Sequence, residues 1–241
     1  MGINKNTANI EKEILKKKNI KYDEISMCEL GNQWLTFQRM RGKEYYKALG
    51  VKEHISIDLN GKDGSLSLNL DLPLPSKFIN RFGLITNYGT IEHVNNQYQA
   101  FKNVHDITKV GGIIIHIMPM QGSMKGHGRY YYTPQFMKKL GAKCHYEIID
   151  TCSYDDGLYS EIPSKNHCYV VLGAFLKKED NNFISKEIFG NIEGLEDTGD
   201  LENTGNYEAN WKYKLKRYKN LILKIIINPK RSYSKIKERI R

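Results

Sequence analysis

Leu84-Ile85-Thr86-Asn87-Tyr88-Gly89-Thr90-Ile91-Glu92-His93-Val94 reads as a short buried strand that stops at Asn87, a glycine turn, and the start of a helix. The stretch delivers Glu92 and His93, two side chains able to handle protons or bind metal, just past a strand end. In open α/β sheets, ligands bind in the crevice beyond the carboxyl ends of the strands. The local reading is therefore a site as well as a core element.

Working outward, the same pattern repeats: an apolar run that ends in or near a polar group. Ile25–Gly31, His54–Leu59 and Leu66–Leu72 precede the central stretch, and Ile113–Met118 follows it after the turn Gly111-Gly112. Strands separated by helix-length segments predict βαβ units and a parallel sheet. Gln38–Leu49 reads as a helix capped by Gly50, and Asn95–Val110 as a second one ending at Gly111. Asn60-Gly61-Lys62-Asp63-Gly64 is turn chemistry. Thr133–Leu140 predicts a short helix ending at Gly141, and Cys144–Thr151 with Cys168–Phe175 predict two closing strands. The loop between them, Ser153–Asn166, carries Asp155, Asp156, Tyr159 and Glu161.

In order, Glu29-Leu30-Gly31, Asp58, Asp71 and the Asn87…Glu92-His93 segment resemble the motifs of class I S-adenosylmethionine (SAM)-dependent methyltransferases over roughly residues 22–177. The segments Gly89-Thr90-Ile91-Glu92-His93-Val94 and His127-Gly128-Arg129-Tyr130-Tyr131-Tyr132-Thr133-Pro134 look most like bacterial methyltransferases that decorate surface-polysaccharide sugars. The resemblance implies a Rossmann-like α/β fold: a seven-stranded, mostly parallel sheet with helices on both faces and an antiparallel last strand. It implies SAM as cofactor. Gly31 and Asn32, beside Glu29, would approach the methionine moiety. Asp58 and Leu59 would hold the ribose, since an acceptor-only carboxylate suits a diol. Asp71 and Leu72 would hold the adenine, and Asn87 would face the methyl donor. His93 and His127, with Glu92, are the catalytic candidates; Arg129, Tyr130 and Tyr132 are the candidates for holding the acceptor.

A sugar hydroxyl holds its proton tightly and needs a base or a metal. Glu92, His93 and His127 are also nitrogen and oxygen ligands for a divalent ion, resembling the metal site of some 2′-O-methyltransferases. A second glutamate would then be expected where this chain has Gly89, so metal-free general-base catalysis is the preferred expectation. The chain departs from the family in a second way. Its glycine-rich loop is reduced to Gly31, and Glu29 stands 29 residues before Asp58 against the ~20 usual between loop and ribose acid. An insertion around Arg39–Tyr46 accounts for the excess.

Blander readings stand beside these. A lone strand-end acid such as Asp58 is more often a turn former. Glu92 could be a helix-start acid beside a core histidine, His127 a loop histidine, and the tyrosines simple packing.

The 241 residues suit one α/β domain with appendages. The net charge of +10 is a C-terminal feature: residues 211–241 hold twelve Lys/Arg and one acid, leaving 25 basic and 26 acidic residues elsewhere. The expected organisation is a helical segment over 1–21, the methyltransferase domain over 22–178, an acidic linker or surface excursion over 179–210, and a basic amphipathic helical tail over 211–241. In the tail, Trp211, Leu215, Tyr218, Leu221, Ile222, Ile225 and Ile226 recur with helical period. Such a helix suits an anionic membrane surface, or docks on its own domain or a second subunit as a homo-oligomer. Nucleic acid ranks lower, because the rest of the chain has no basic surplus. Four cysteines without a C-x-x-C pair, and no N-terminal signal region or spanning run, lead to the expectation of a cytoplasmic protein, peripheral to the membrane's inner face. The expected acceptor is a sugar, nucleotide sugar or glycan of a capsule or lipopolysaccharide. The alternatives are a small-molecule or RNA-ribose methyltransferase, or a non-catalytic SAM-fold binding subunit.

Overall fold

The computed structural model describes residues 2–156 and 168–205, together with 215, 218, 219 and 222. In chain order the elements are α1 (Lys5–Lys17), β1 (Ser26–Leu30), β2 (Trp34–Leu35), β3 (Met40–Arg41), α2 (Gly42–Ala48), β4 (Glu53–Ile57), β5 (Phe82–Tyr88), α3 (Gln97–Ile107), β6 (Thr108–Pro119), β7 (Tyr130–Tyr132), α4 (Pro134–Lys143), β8 (Glu147–Asp155), β9 (Tyr169–Leu176), α5 (Lys186–Gly190) and β10 (Leu195–Asp197).

The apolar runs of β1, β4, β5 and β6 are covered on both sides, so they form the parallel core of one sheet. Its order is β4-β1-β5-β6-β9-β8, with β9 antiparallel to both neighbours. Adjacent residues of β5 and β6 serve opposite layers. Leu84, Ile113, Ile115 and Ile117 pack with α1 and α2 residues such as Ile14, Leu15 and Tyr46. Ile85, Ile114 and Met118 pack with Phe101, Phe136 and Phe189 from α3, α4 and α5. From β1 the chain moves outward to β4, and from β5 it moves the other way to β6. The reversal between β1 and β5 is the topological switch point, where α/β sheets place ligands.

Among the described residues the sheet has six strands, not seven. Leu66–Leu72 contributes a single bridge, Leu66 to Ile57. The Asn69 side chain then accepts from Asp71 N at 2.9 Å and turns the run away from the sheet. Element ends shift for similarly local reasons. Residues 34–41 form the β2–β3 hairpin, so α2 starts at Gly42 rather than Gln38. A Cβ on Gly42 would lie 2.1 Å from Glu29 Oε2, so a side chain there would push the buried Glu29 carboxylate aside. α3 ends at Ile107, short of Val110, because the chain enters β6 directly. α4 runs through Gly141 to Lys143; that glycine makes room for the Phe175 ring, 2.7 Å from a built Cβ, rather than stopping the helix.

Two of the appendages are parts of the domain. α1 docks through Glu11, which is buried and accepts hydrogen bonds from Tyr22, Tyr46 and Tyr88 hydroxyls at 2.7, 2.7 and 2.6 Å. Residues 179–205 are no linker: Phe183, Phe189 and Ile192 enter the core, and β10 pairs with β7. Their acids face outward while a few apolar residues carry the burial, so composition alone misleads. In the tail, Leu215, Tyr218, Lys219 and Ile222 are helical, and the three apolar ones are exposed. Trp211, Leu221, Ile225 and Ile226 lie outside the described residues, as do 157–167. Among the described residues no helix is long and apolar enough to cross a membrane.

Candidate active site

A cavity of about 220 Å³ opens at the switch point, at the carboxyl ends of β1, β4 and β5. Gly31, Asn32, Asp58, Leu59 and Asp71 line it, as the sequence reading expects, together with Thr90 and His93. Gly31 sits at φ +83°, and a Cβ there would lie 2.4 Å from Thr90 Oγ1. Glycine is therefore required both for the turn and for the close approach of two strand ends. Asp58 organises this wall by accepting from Asn32 N and Asn60 N, each at 3.0 Å. The Asn32 side chain bonds Lys62 O and Asp63 Oδ2 at 3.1 and 2.9 Å, so the Asn60–Gly64 turn is latched across the β1 loop. Arg41 strengthens the latch, donating to Asn32 O at 3.1 Å and pairing with Asp63 at 2.5 Å. Asp71, at the rim, also caps the chain before α3 by accepting from Asn96 N at 2.7 Å.

Three expected cofactor residues lie elsewhere. Asn87 is fully buried, and its side-chain oxygen accepts from Thr90 N and Ile91 N at 3.2 and 3.1 Å while its amide meets His116 at 3.1 Å. It shapes the turn behind the cavity and does not line it. Glu29 is buried behind the wall, accepting from Gln33 N at 2.6 Å and paired with His54 Nε2 at 3.0 Å; burial raises its pKa, with His54 opposing. Leu72 points to solvent at 59 % exposure, because the Asn69 turn rotates it away.

The three residues expected to hold an acceptor are also accounted for by the fold. Tyr132 is completely buried and donates to Gln97 Oε1 at 2.6 Å. Tyr130 packs in the same core layer and donates to Asn95 O at 2.8 Å. Arg129 makes two 2.6 Å bonds to Asp197 and lies over the Tyr130 ring. In a strand, alternate side chains face opposite ways. Tyr131, quoted in the motif but not among the residues expected to hold an acceptor, therefore points toward the site. Its hydroxyl accepts from His127 N at 3.0 Å and donates to Met124 O at 3.1 Å, fixing the histidine's backbone.

Glu92, His93 and His127 do come together. Their ligand-type atoms all lie within 4.8 Å of one another. Glu92 Oε1 is 3.4 Å from His127 Nε2 and 3.8 Å from His93 Nε2. Glu92 and His93 sit on the tight turn Ile91–His93, with Glu92 fully buried. Gly128 allows His127 this close: a Cβ on it would strike Glu92 Cγ at 2.8 Å. Burial pushes Glu92 toward the neutral acid, but the two imidazoles outweigh it and hold its pKa below the ordinary value. Burial lowers His93 to about 4, so it is neutral at pH 7. Residues 203–205 complete the site: Asn203 O lies 2.7 Å from His93 Nδ1, and Gly205 N donates to His93 O at 2.8 Å. No feature of the acidic stretch signals this role; it follows from tertiary packing.

No family model matches this chain, and none of the curated proteins matches it. Solved structures do. The N-methyltransferase NodS from Bradyrhizobium japonicum WM9, in complex with S-adenosylhomocysteine, is 13% identical over 73% of this chain and 89% of that one, with a TM-score of 0.51. A Haloferax volcanii complex between a methyltransferase activator and a methyltransferase gives 12% identity over 70% of this chain and 89% of the other, with a TM-score of 0.50. At such identities the likeness is one of fold, and it agrees with the strand order and the antiparallel β9. The chain has the Rossmann-like fold of class I SAM-dependent methyltransferases.

Proposed function

We propose that the protein is a SAM-dependent methyltransferase that acts on a hydroxyl group. The observation that carries this reading is the cavity at the switch point, with an acceptor-only carboxylate, Asp58, on one wall, His93 on another, and Glu92 and His127 grouped behind His93. The cavity suits the cofactor: Gly31 leaves backbone open to the methionine end, Asp58 has lone pairs remaining for a ribose diol, and Asp71 stands at the rim for the adenine. Bound SAM supplies a methyl group on a sulfonium that leaves as a neutral thioether. The residues align the acceptor and draw off its proton. One C–O bond forms, one C–S bond breaks and one proton is released. His93 reaches the cavity wall, and Glu92 and His127 stand behind it as the groups that polarise the acceptor.

The acceptor in this reading is a sugar of a bacterial surface glycan or its nucleotide-linked precursor. The Gly89–Val94 and His127–Pro134 segments support it through their resemblance. A small-molecule hydroxyl fits the same geometry. Transfer of labelled methyl from SAM to a panel of nucleotide sugars, small polyols and RNA tests the assignment. Incorporation into a nucleotide sugar supports the glycan reading; incorporation into RNA alone, or into none of them, defeats it.

The tail extends this proposal to a cytoplasmic enzyme held at the membrane's inner face. Its charge partition and the exposed Leu215, Tyr218 and Ile222 support that reading. Each basic residue near an anionic surface adds about 1 kcal/mol. The full chain is expected to co-sediment with anionic vesicles, less so as salt rises, and a chain ending at Asn210 is expected not to. Equal sedimentation of both contradicts it.

A further inference from the structure

From the arrangement of Glu92, His93 and His127 we infer a binding site for a first-row divalent cation beside the cavity, against the wall that His93 forms. The inference extends the hydroxyl-methylation reading by naming what activates the acceptor, but its own basis is the geometry of three side chains.

Asn203 O can only accept a hydrogen bond, so the Nδ1 atom of His93, 2.7 Å away, carries the ring proton. In that tautomer the ring's lone pair is at Nε2, and that atom faces Glu92 Oε1 at 3.8 Å. His127 Nε2 approaches the same carboxylate oxygen at 3.4 Å. Both Glu92 oxygens are buried without a well-formed hydrogen bond, and an ionised buried carboxylate in that condition is costly. A cation among the three groups offsets that cost.

The metrics come close. Ligand bonds of about 2.0–2.2 Å place donors roughly 3–3.6 Å apart around one ion; the separations to Glu92 Oε1 are 3.4 and 3.8 Å, and all three ligand atoms lie within 4.8 Å of one another, so small side-chain rotations bring them onto one ion. A bond from the second ring nitrogen of a ligating histidine to a backbone carbonyl is the usual outer support of a metal site, and Asn203 provides it. Tyr131 holds the His127 backbone, and Gly128 leaves space for Glu92 beneath it. Two imidazoles and one carboxylate favour manganese, iron, cobalt, nickel or zinc over calcium or magnesium. Three protein ligands leave positions open, and His93 lies on the cavity wall. The ion's function there is to lower the pKa of the acceptor hydroxyl.

The test uses the full chain, stripped with a chelator and titrated with Mn²⁺ by calorimetry and electron paramagnetic resonance, and with Co²⁺ by visible absorption. One tight ion per chain is expected, with affinity falling at least ~10²-fold in Glu92→Gln and in His127→Ala, beyond the ~10–100-fold typical of losing only an outer support. His127 is partly exposed, so its variant folds even if the Glu92 variant does not. S-adenosylhomocysteine binding, measured on the same samples, serves as the fold control. No ion binding by a chain that still binds S-adenosylhomocysteine overturns the inference. Ion binding unchanged in His127→Ala overturns it too. An ion bound and lost in the variants, with no S-adenosylhomocysteine binding anywhere, supports the metal site and defeats the methyltransferase reading instead.

Discussion

Glu11→Ala lowers the thermal midpoint by roughly 4–24 °C. The substitution removes the shared acceptor of three tyrosine hydroxyls, two of them fully buried, Tyr46 and Tyr88. Each buried group left unpaired costs about 1–3 kcal/mol, so the two fully buried hydroxyls cost ~2–6 kcal/mol, and a chain of this size loses about 2–4 °C per kcal/mol. The effect reaches the site, because Tyr88 follows Asn87 at the end of β5 and Tyr46 stacks on His54, the partner of Glu29. Glu11→Gln, which keeps the volume and one acceptor oxygen, costs less. The pH dependence has a definite sign. Burial raises the Glu11 pKa above its ordinary 4.5, with the tyrosines opposing. Its contribution to stability is therefore fully present below that value and is lost as pH rises through the folded-state pKa. The midpoint of the native chain minus that of Glu11→Gln falls with rising pH over that window. A scanning calorimetry series showing a rise instead contradicts the account of this tie.

His127→Ala lowers turnover by ~10²–10⁴-fold, the range for losing one group that moves or polarises a proton. S-adenosylhomocysteine affinity stays near that of the native chain, because His127 does not line the switch-point cavity whereas His93 does. His93→Ala acts on both, since it removes a cavity-wall side chain together with its bond to Asn203 O, leaving only the backbone bond from Gly205 N to hold that segment. Single-turnover kinetics separate the two effects. Full activity in His127→Ala would remove His127 from the chemistry, and full activity in both His127→Ala and His93→Ala would place the base elsewhere.

The parallel core is legible in the sequence because β1, β4, β5 and β6 are apolar runs separated by helix-length segments, a pattern with few other solutions. Gly31, Asp58 and the Glu92–His93 pair are legible for a related reason: they sit where such strands must end. Asn87 is not, because an asparagine that caps a turn and one that faces a ligand look alike in one dimension. Leu66–Leu72 alternates like a strand, yet Asn69 bonds its own backbone and turns it. Glu11 reads as an ordinary charge on α1 until the fold brings three tyrosines around it. The part played by Asn203 depends on a contact across 110 residues, which no local pattern encodes.

Calorimetric titration of S-adenosylhomocysteine into the native chain and into Asp58→Ala tests the central claim most directly. The account predicts one binding site in the native chain. In the variant, binding is weaker by ~1.5–3 kcal/mol, roughly 10- to 150-fold, the range for losing a charged hydrogen-bond partner. A folded native chain that takes up no S-adenosylhomocysteine, or a variant that binds it equally well, would contradict the assignment of the switch-point cavity to the cofactor.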